Sequence, residues 1–259
     1  MLEASGAPVD QGRMQGGALQ GEIEAAIHRL RVRYGWLDWQ ALRRRCRLGP
    51  GRALARYLPQ QHERLQGIAC AARVSLDALL LCETLTRVAG VGGSKGGQLQ
   101  ASFDLHPELA PLLMLRQSSP DAGGVVSVEL TAAPWVGCLA GVNAEGVALA
   151  CLEDRAPHEP SLRVLAQDLL FRARALGPGL EHLRRRAAYA GGTGVLLLAD
   201  ASGASLRAEL SSGVLRLEDA PTPGAIALEP TVSIDAAARR LVWRDALGHE
   251  REAVISPGS

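Results

Sequence analysis

The chain has 259 residues and a mass of 27.3 kDa, with 47% hydrophobic against 21% charged residues, which gives a real core and excludes a disordered chain. A net charge of +1 excludes a strong electrostatic case for nucleic acid as partner, since backbone binding needs a clustered positive surface. Aromatic residues make up only 3%, so the core must be built from Leu, Val and Ala.

Residues 1–20 are rich in Gly, Gln and small side chains and read as a flexible N-terminus ahead of one domain over 21–259. From residue 21 the pattern turns helical, with Ile23, Ile27, Leu30 and Tyr34 on one stripe. A second helix is predicted over 39–47, ended by Gly49-Pro50-Gly51, and a third over 52–57, broken at Pro59. Leu65, Ile68, Ala69 and Ala72 mark a fourth over 60–72. Ser75 is the N-cap of a fifth, SLDALLLCETL. Residues 21–83 are thus the helical part and 84–259 the sheet part.

After Thr84 the period shifts towards two. Strands are predicted over 85–91 and 98–105, joined by the hairpin signal GGSKGG. Further strands follow at 112–117, 124–131, 136–141 and 147–152, with a tight turn at Asn143-Ala144-Glu145-Gly146. Helices return over 160–176 and 180–190, separated by Gly177-Pro178-Gly179. The last strands are expected at 194–199, 205–210, 213–217, 225–228 and 240–244. This order suits an α+β protein: two antiparallel sheets covered by helices, with no parallel crossover.

Cys46, Cys70, Cys82, Cys138 and Cys151 are scattered, with neither zinc-ligand spacing nor the look of a disulfide framework. No P-loop is present, nor a GxGxxG after a strand, so no cofactor is expected. The opening residues lack a secretory pattern and no apolar run is long enough to span a bilayer, so a cytoplasmic protein without a membrane partner is the expectation. The arginine clusters Arg43-Arg44-Arg45 with Arg47, and Arg184-Arg185-Arg186, read as solvated helix faces.

LQGIACAARVSLDALLLC (65–82), GGQLQASFDLHP (96–107) and PWVGCLAGVNAEGVALAC (134–151) together resemble acyl-CoA:isopenicillin N acyltransferase-like proteins, peptidase family C45. They are similar, in turn, to the helix pair before the nucleophile, the second strand, and the Gly-rich strand with its Asn-x-x-Gly turn; the resemblance covers roughly residues 55–220. It implies an N-terminal-nucleophile hydrolase with an αββα sandwich. Such a chain cuts itself before a Cys, Ser or Thr, whose side chain then attacks amides or thioesters with its own α-amine as base. The implied partner is a small-molecule acyl substrate, with homo-oligomer formation left open.

Counting back from Ser102, the family's nucleophile position falls on Thr86, preceded by Leu85 in place of the usual Gly. Cys82 is the nearest cysteine, at the end of the preceding helix. Asp104 and Asn143 are kept. The family's Arg-Asn pair becomes Ala101-Ser102, its second oxyanion Asn falls at Ala150 or Leu152, and its Thr-Asn-His segment at Leu228-Glu229-Pro230.

Each candidate also has a plainer reading. Thr86 is a nucleophile at a strand start or an ordinary strand threonine. Cys82 is a nucleophile or a buried structural thiol. Asp104 positions substrate or pairs with an arginine, Asn143 touches a ligand or makes a turn, and His106 is a base or a strand-end histidine. Three functions follow: a diverged acyltransferase or amidohydrolase, a non-catalytic binding or assembly protein that keeps the sandwich, or an enzyme that reuses the pocket without self-cleavage, with Cys82 or His106 supplying its chemistry.

Overall fold

Glycine sets the register of the hairpin that carries two of the candidates. β2 (Val88–Lys95) and β3 (Gln98–Asp104) pair antiparallel, with Lys95 opposite Gln98. Gly96 and Gly97 close the loop at φ 59° and 80°, the two positive angles that a tight hairpin turn demands. The computed structural model of the chain describes residues 1–105, 108–121, 123–154, 160–190, 193–211, 213–223, 231–245 and 247–255, with the backbone alone for 153, 154 and 187–190. The expected strand at 225–228, His106, and Leu228-Glu229-Pro230 lie outside the described residues.

The helical part follows in order: α1 (Pro8–Ala18), α2 (Gln20–Leu48), α3 (Pro50–Tyr57), α4 (Pro59–Ala71) and α5 (Leu76–Leu85). The two helices expected, one to about Tyr34 and one over 39–47, are both present and meet at a kink at Gly35, where φ is 71°; α2 names the pair. Prolines open α3 and α4, where their missing N–H costs nothing. Ser75 caps α5 by accepting from the Ala78 N–H.

The remaining strands are β1 (Leu2–Gly6), β4 (Leu113–Pro120), β5 (Ser127–Ala132), β6 (Ala140–Asn143), β7 (Val147–Asp154), β8 (Gly194–Asp200), β9 (Ser205–Ser211), β10 (Val214–Asp219), β11 (Thr231–Asp235), β12 (Arg240–Arg244) and β13 (Glu250–Val254). The larger sheet runs β1-β4-β5-β6-β7-β8-β9-β10 and the smaller β2-β3-β11-β12-β13, joined where the start of β2 meets the end of β7. β3 lies across β7 and β8, and β12 across β5 and β6, so the two sheets stack. Helices α6 (Leu162–Arg172) and α7 (Leu176–Ala190) lie against the larger sheet, as does α1. The protein is α+β, with two sheets flanked by helices.

Burial follows this layering. β7 and β8 carry Val147, Leu149, Val195, Leu196, Leu197 and Leu198 in near-continuous apolar runs, because the smaller sheet covers one face and helices the other. In β3, Leu99, Ala101 and Phe103 are buried while Gln98, Gln100 and Asp104 are exposed.

Three expectations are corrected. Residues 1–20 are not frayed: β1 pairs parallel with β4 from Leu2 opposite Arg116 to Gly6 opposite Pro120, and α1 packs on α4. That parallel pair departs from an all-antiparallel reading, since β1 reaches β4 only after five intervening helices. The strand expected from residue 85 begins instead at Val88, because Leu85 still belongs to α5.

A buried polar layer lies between α1, α4 and α6 and the strands β4 and β5. Arg116 and Glu129 are direct cross-strand partners with no exposed side-chain surface, joined through Arg116 Nε at 2.9 Å. Arg116 also donates to Gln15 Oε1 at 2.8 Å and to the carbonyls of Trp135 and Val136. Ser127 and Gln167 donate to the other oxygen of Glu129. Burial pushes the Glu129 carboxyl up, but the Arg116 and Arg64 guanidiniums outweigh it and hold the group below its ordinary value. Arg64, buried beside Arg116, is pushed down to about 9.

Asp168 of α6 is likewise buried, and its carboxylate meets His182 Nε2 at 2.7 Å and Arg172 Nε at 3.1 Å. Desolvation opposes its ionisation, yet these partners keep it below its usual range. A carboxyl depressed in the fold contributes stability above its unfolded pKa and loses it as pH falls through the folded one. Thermal unfolding followed against pH should therefore show a plateau above roughly pH 4 and a fall below it. Asp168→Asn should flatten part of that fall.

Candidate functional site

Three of the four candidate residues meet at one cavity of about 640 Å³, a size that suits a small organic molecule. Its walls include Cys82, Leu85, Thr86 and Arg87 from the α5–β2 junction, and Asp104 and Leu105 from the end of β3. Arg29, Leu30 and Arg33 of α2 close one side, and Pro134 and Trp135 another. The hairpin register explains the convergence, for Ala89 stands opposite Asp104 and Thr86 lies just before that pair.

Thr86 does not begin a strand. It occupies the C-cap of α5, and its hydroxyl donates to the Cys82 carbonyl at 2.8 Å, the local bond that threonine makes at a helix end. The Trp135 indole N–H donates to the same carbonyl at 3.1 Å. Arg163 of α6 reaches in from below, donating to the Thr86 carbonyl at 3.1 Å and to the Glu83 carbonyl. Its guanidinium stacks on the Trp135 ring at 4.0 Å. The Glu83 carboxylate accepts from the Val136 N–H at 2.9 Å. The end of α5 is thus fixed by side chains from two other segments, which satisfies carbonyls that a helix end leaves open.

Cys82 is fully buried, and burial together with the neighbouring Glu83 charge pushes its thiol far above the ordinary range. That disfavours the thiolate a nucleophile needs. Cys70 is the exposed cysteine, and Cys46 and Cys138 are buried with their thiols pushed up by desolvation. Asp104 is exposed at the cavity wall, where its carboxylate has no hydrogen-bond partner among the described residues.

Asn143 is not among the described residues lining this cavity. Its amide donates to the Leu170 and Ala173 carbonyls at 2.9 and 2.7 Å and accepts from the Glu145 and Val147 N–H groups. Every polar valence is used in tying the β6–β7 turn to the end of α6, so none is left for a ligand.

The sequence reading missed Arg29, Arg33, Arg87, Glu83, Trp135 and Arg163. Glu83 and Arg163 stand inside apolar stripes, LLLCETL and SLRVLAQ. A charge in such a stripe is almost always paired when buried, and that was the available signal. Among the described residues no group of three or more His, Cys, Asp or Glu is placed to hold a metal ion.

No protein-family model matches this chain, and a search of curated proteins finds no match. Among solved structures, the chain is similar to penicillin V acylase from Agrobacterium tumefaciens at 13% identity and a TM-score of 0.43, over 66% of this chain and 86% of that one. At that distance the chemistry of the site rests on this chain's own residues.

Proposed function

We propose that the cavity binds a small acylated amine or thioester and that the chain is a diverged amidohydrolase or acyltransferase, of the kind its C45-like motifs resemble. The observation that carries this reading is that Thr86 and Asp104, the nucleophile position and the retained acid, line one cavity with Arg87 between them in the chain.

In maturation the Thr86 hydroxyl leaves the Cys82 carbonyl and adds to the carbonyl carbon of Leu85. The C–N bond breaks as the nitrogen takes the hydroxyl proton, and water hydrolyses the resulting ester. This frees a Leu85 carboxylate and a Thr86 α-amine. That amine then accepts the hydroxyl proton as Thr86 attacks the substrate carbonyl, and returns it to the departing amine or thiolate. The Asp104 carboxylate holds the amine end of the substrate. Water or a second amine takes the acyl group from the threonine ester.

Intact-mass measurement of the purified protein should give two chains, parted between Leu85 and Thr86. Thr86→Ala should remain a single chain and lose roughly 10³-fold or more in turnover. A single uncut chain whose activity survives Thr86→Ala overturns the proposal.

A second reading, a non-catalytic binding protein, is favoured by one observation: the Thr86 hydroxyl and carbonyl are both engaged inside the fold. An electrophilic acyl probe separates the two. Covalent labelling at Thr86 supports the enzyme, whereas ligand-induced stabilisation of an unlabelled, uncut chain supports the binder.

A further inference from the structure

Helix α2 carries an apolar face that nothing in the described structure covers. Its inward side buries Ile23, Ala26, Trp39 and Cys46. On the other side Val32, Trp36 and Leu37 are 70%, 61% and 75% exposed around the break at Gly35, and Leu48 is exposed further along. Val32 and Trp36 share one open groove with Ile27, Arg31 and Val74. The remaining tryptophans, Trp39, Trp135 and Trp243, are all buried. Exposed apolar side chains gathered on one groove, as Val32 and Trp36 are, mark an interaction surface more than a chance of composition.

Its charge identifies the occupant. α2 holds Arg29, Arg31, Arg33, Arg43, Arg44, Arg45 and Arg47 against Glu22, Glu24 and Asp38. Arg43 and Arg47 turn towards Asp77. Arg31, Arg44 and Arg45 are exposed and have no ion-pair partner among the described residues, whereas Arg33 belongs to the wall of the Thr86 cavity. We propose that this face of α2 docks on an anionic lipid surface, with Trp36, Leu37 and Val32 in the headgroup boundary and the guanidiniums on lipid phosphates. A basic helix with Trp and Leu on its apolar side suits that boundary, and long arginine stems let the charge stay at the headgroups. A second copy fits poorly, because face-to-face packing would set these guanidiniums against each other. The expectation of no membrane partner rested on the lack of a spanning run, and among the described residues no single helix is long and apolar enough to cross a membrane. Lying on a surface needs no such run. The proposal is independent of any chemistry at Thr86.

The test uses the full chain with phosphatidylcholine vesicles, alone or mixed with phosphatidylglycerol. The protein should sediment with the mixed vesicles and not with phosphatidylcholine alone, and high salt should release it. Emission should shift to the blue, a signal assignable to Trp36 because the other indoles are already buried. Trp36→Ser with Leu37→Ser should cut partitioning by about tenfold or more, with far-UV circular dichroism unchanged. Arg44→Gln and Arg45→Gln should each weaken it roughly fivefold. Failure to sediment with anionic vesicles at low salt overturns the proposal, as does partitioning that the Trp36/Leu37 variant leaves intact. Self-association abolished by that variant, without vesicle binding, gives the face to a second copy and overturns it too.

Discussion

Arg116→Met should destabilise the protein by about 3–5 kcal/mol, as measured by urea unfolding, a large part of the stability of a typical domain. The loss comes less from the bond removed than from what stays behind. Glu129 would remain fully buried with only Ser127, Gln167 and the more distant Arg64 to support its charge. Gln15 Oε1 and the carbonyls of Trp135 and Val136 would also lose a donor. The double variant Arg116→Met with Glu129→Leu should recover part of the loss, since the uncompensated carboxylate goes with its partner. A double-mutant cycle that returned no coupling would refute this account. The same variant should loosen the cavity. Trp135 and Val136 are held by Arg116 through their carbonyls, and Val136 by Glu83 through its N–H, while Trp135 forms a cavity wall.

Gly12→Ala should cost about 3 kcal/mol or more, whereas Gly17→Ala in the same helix should be neutral or stabilising by roughly 0.5–1 kcal/mol. A methyl at Gly12 would stand 2.0 Å from the Arg64 carbonyl oxygen and 2.9 Å from the Ile68 nitrogen, both rigid backbone of α4. At Gly17 nothing lies within 4 Å. Gly67→Ala makes the reciprocal test, because its methyl would meet the Val9 carbonyl oxygen at 2.1 Å. Equal melting temperatures for Gly12→Ala and Gly17→Ala would show that α1 and α4 do not cross at backbone contact.

Gly12 and its counterpart Gly67 also explain why the first twenty residues misled. GRMQGGALQG has poor helix formers and no apolar stripe, so local rules make it loose. In the fold the lack of side chains is what lets α1 lie directly on the backbone of α4, and Gln15 is buried because two carbonyls and Arg116 meet its amide. Neither the crossing partner nor those carbonyls can be seen from a window of neighbouring residues.

The candidate site divides along similar lines. Thr86 and Asp104 were legible through the spacing of the hairpin, whose register depends on two glycines. Asn143 was legible as a turn residue, and its geometry keeps it there. The strand start at residue 85 failed because LLLCETL continues its helix until the Thr86 hydroxyl bonds back to Cys82. The pull of Arg163, Glu83 and Trp135 on that helix end comes from segments far along the chain.

Local chemistry by itself determined where most helices and strands lie, the hairpin that brings Thr86 near Asp104, the Ser75 cap, and the α+β order of the elements. These depend on periodicity, caps and turn residues, which act over a few positions. Only the tertiary structure decided that β1 joins the sheet, that Arg116 and Glu129 share a dry interior, that Arg163 clamps the Thr86 carbonyl, and that Trp36 is left in the open. Those outcomes depend on which surfaces remain once every buried polar group has found a partner, and that balance is struck across the whole chain at once.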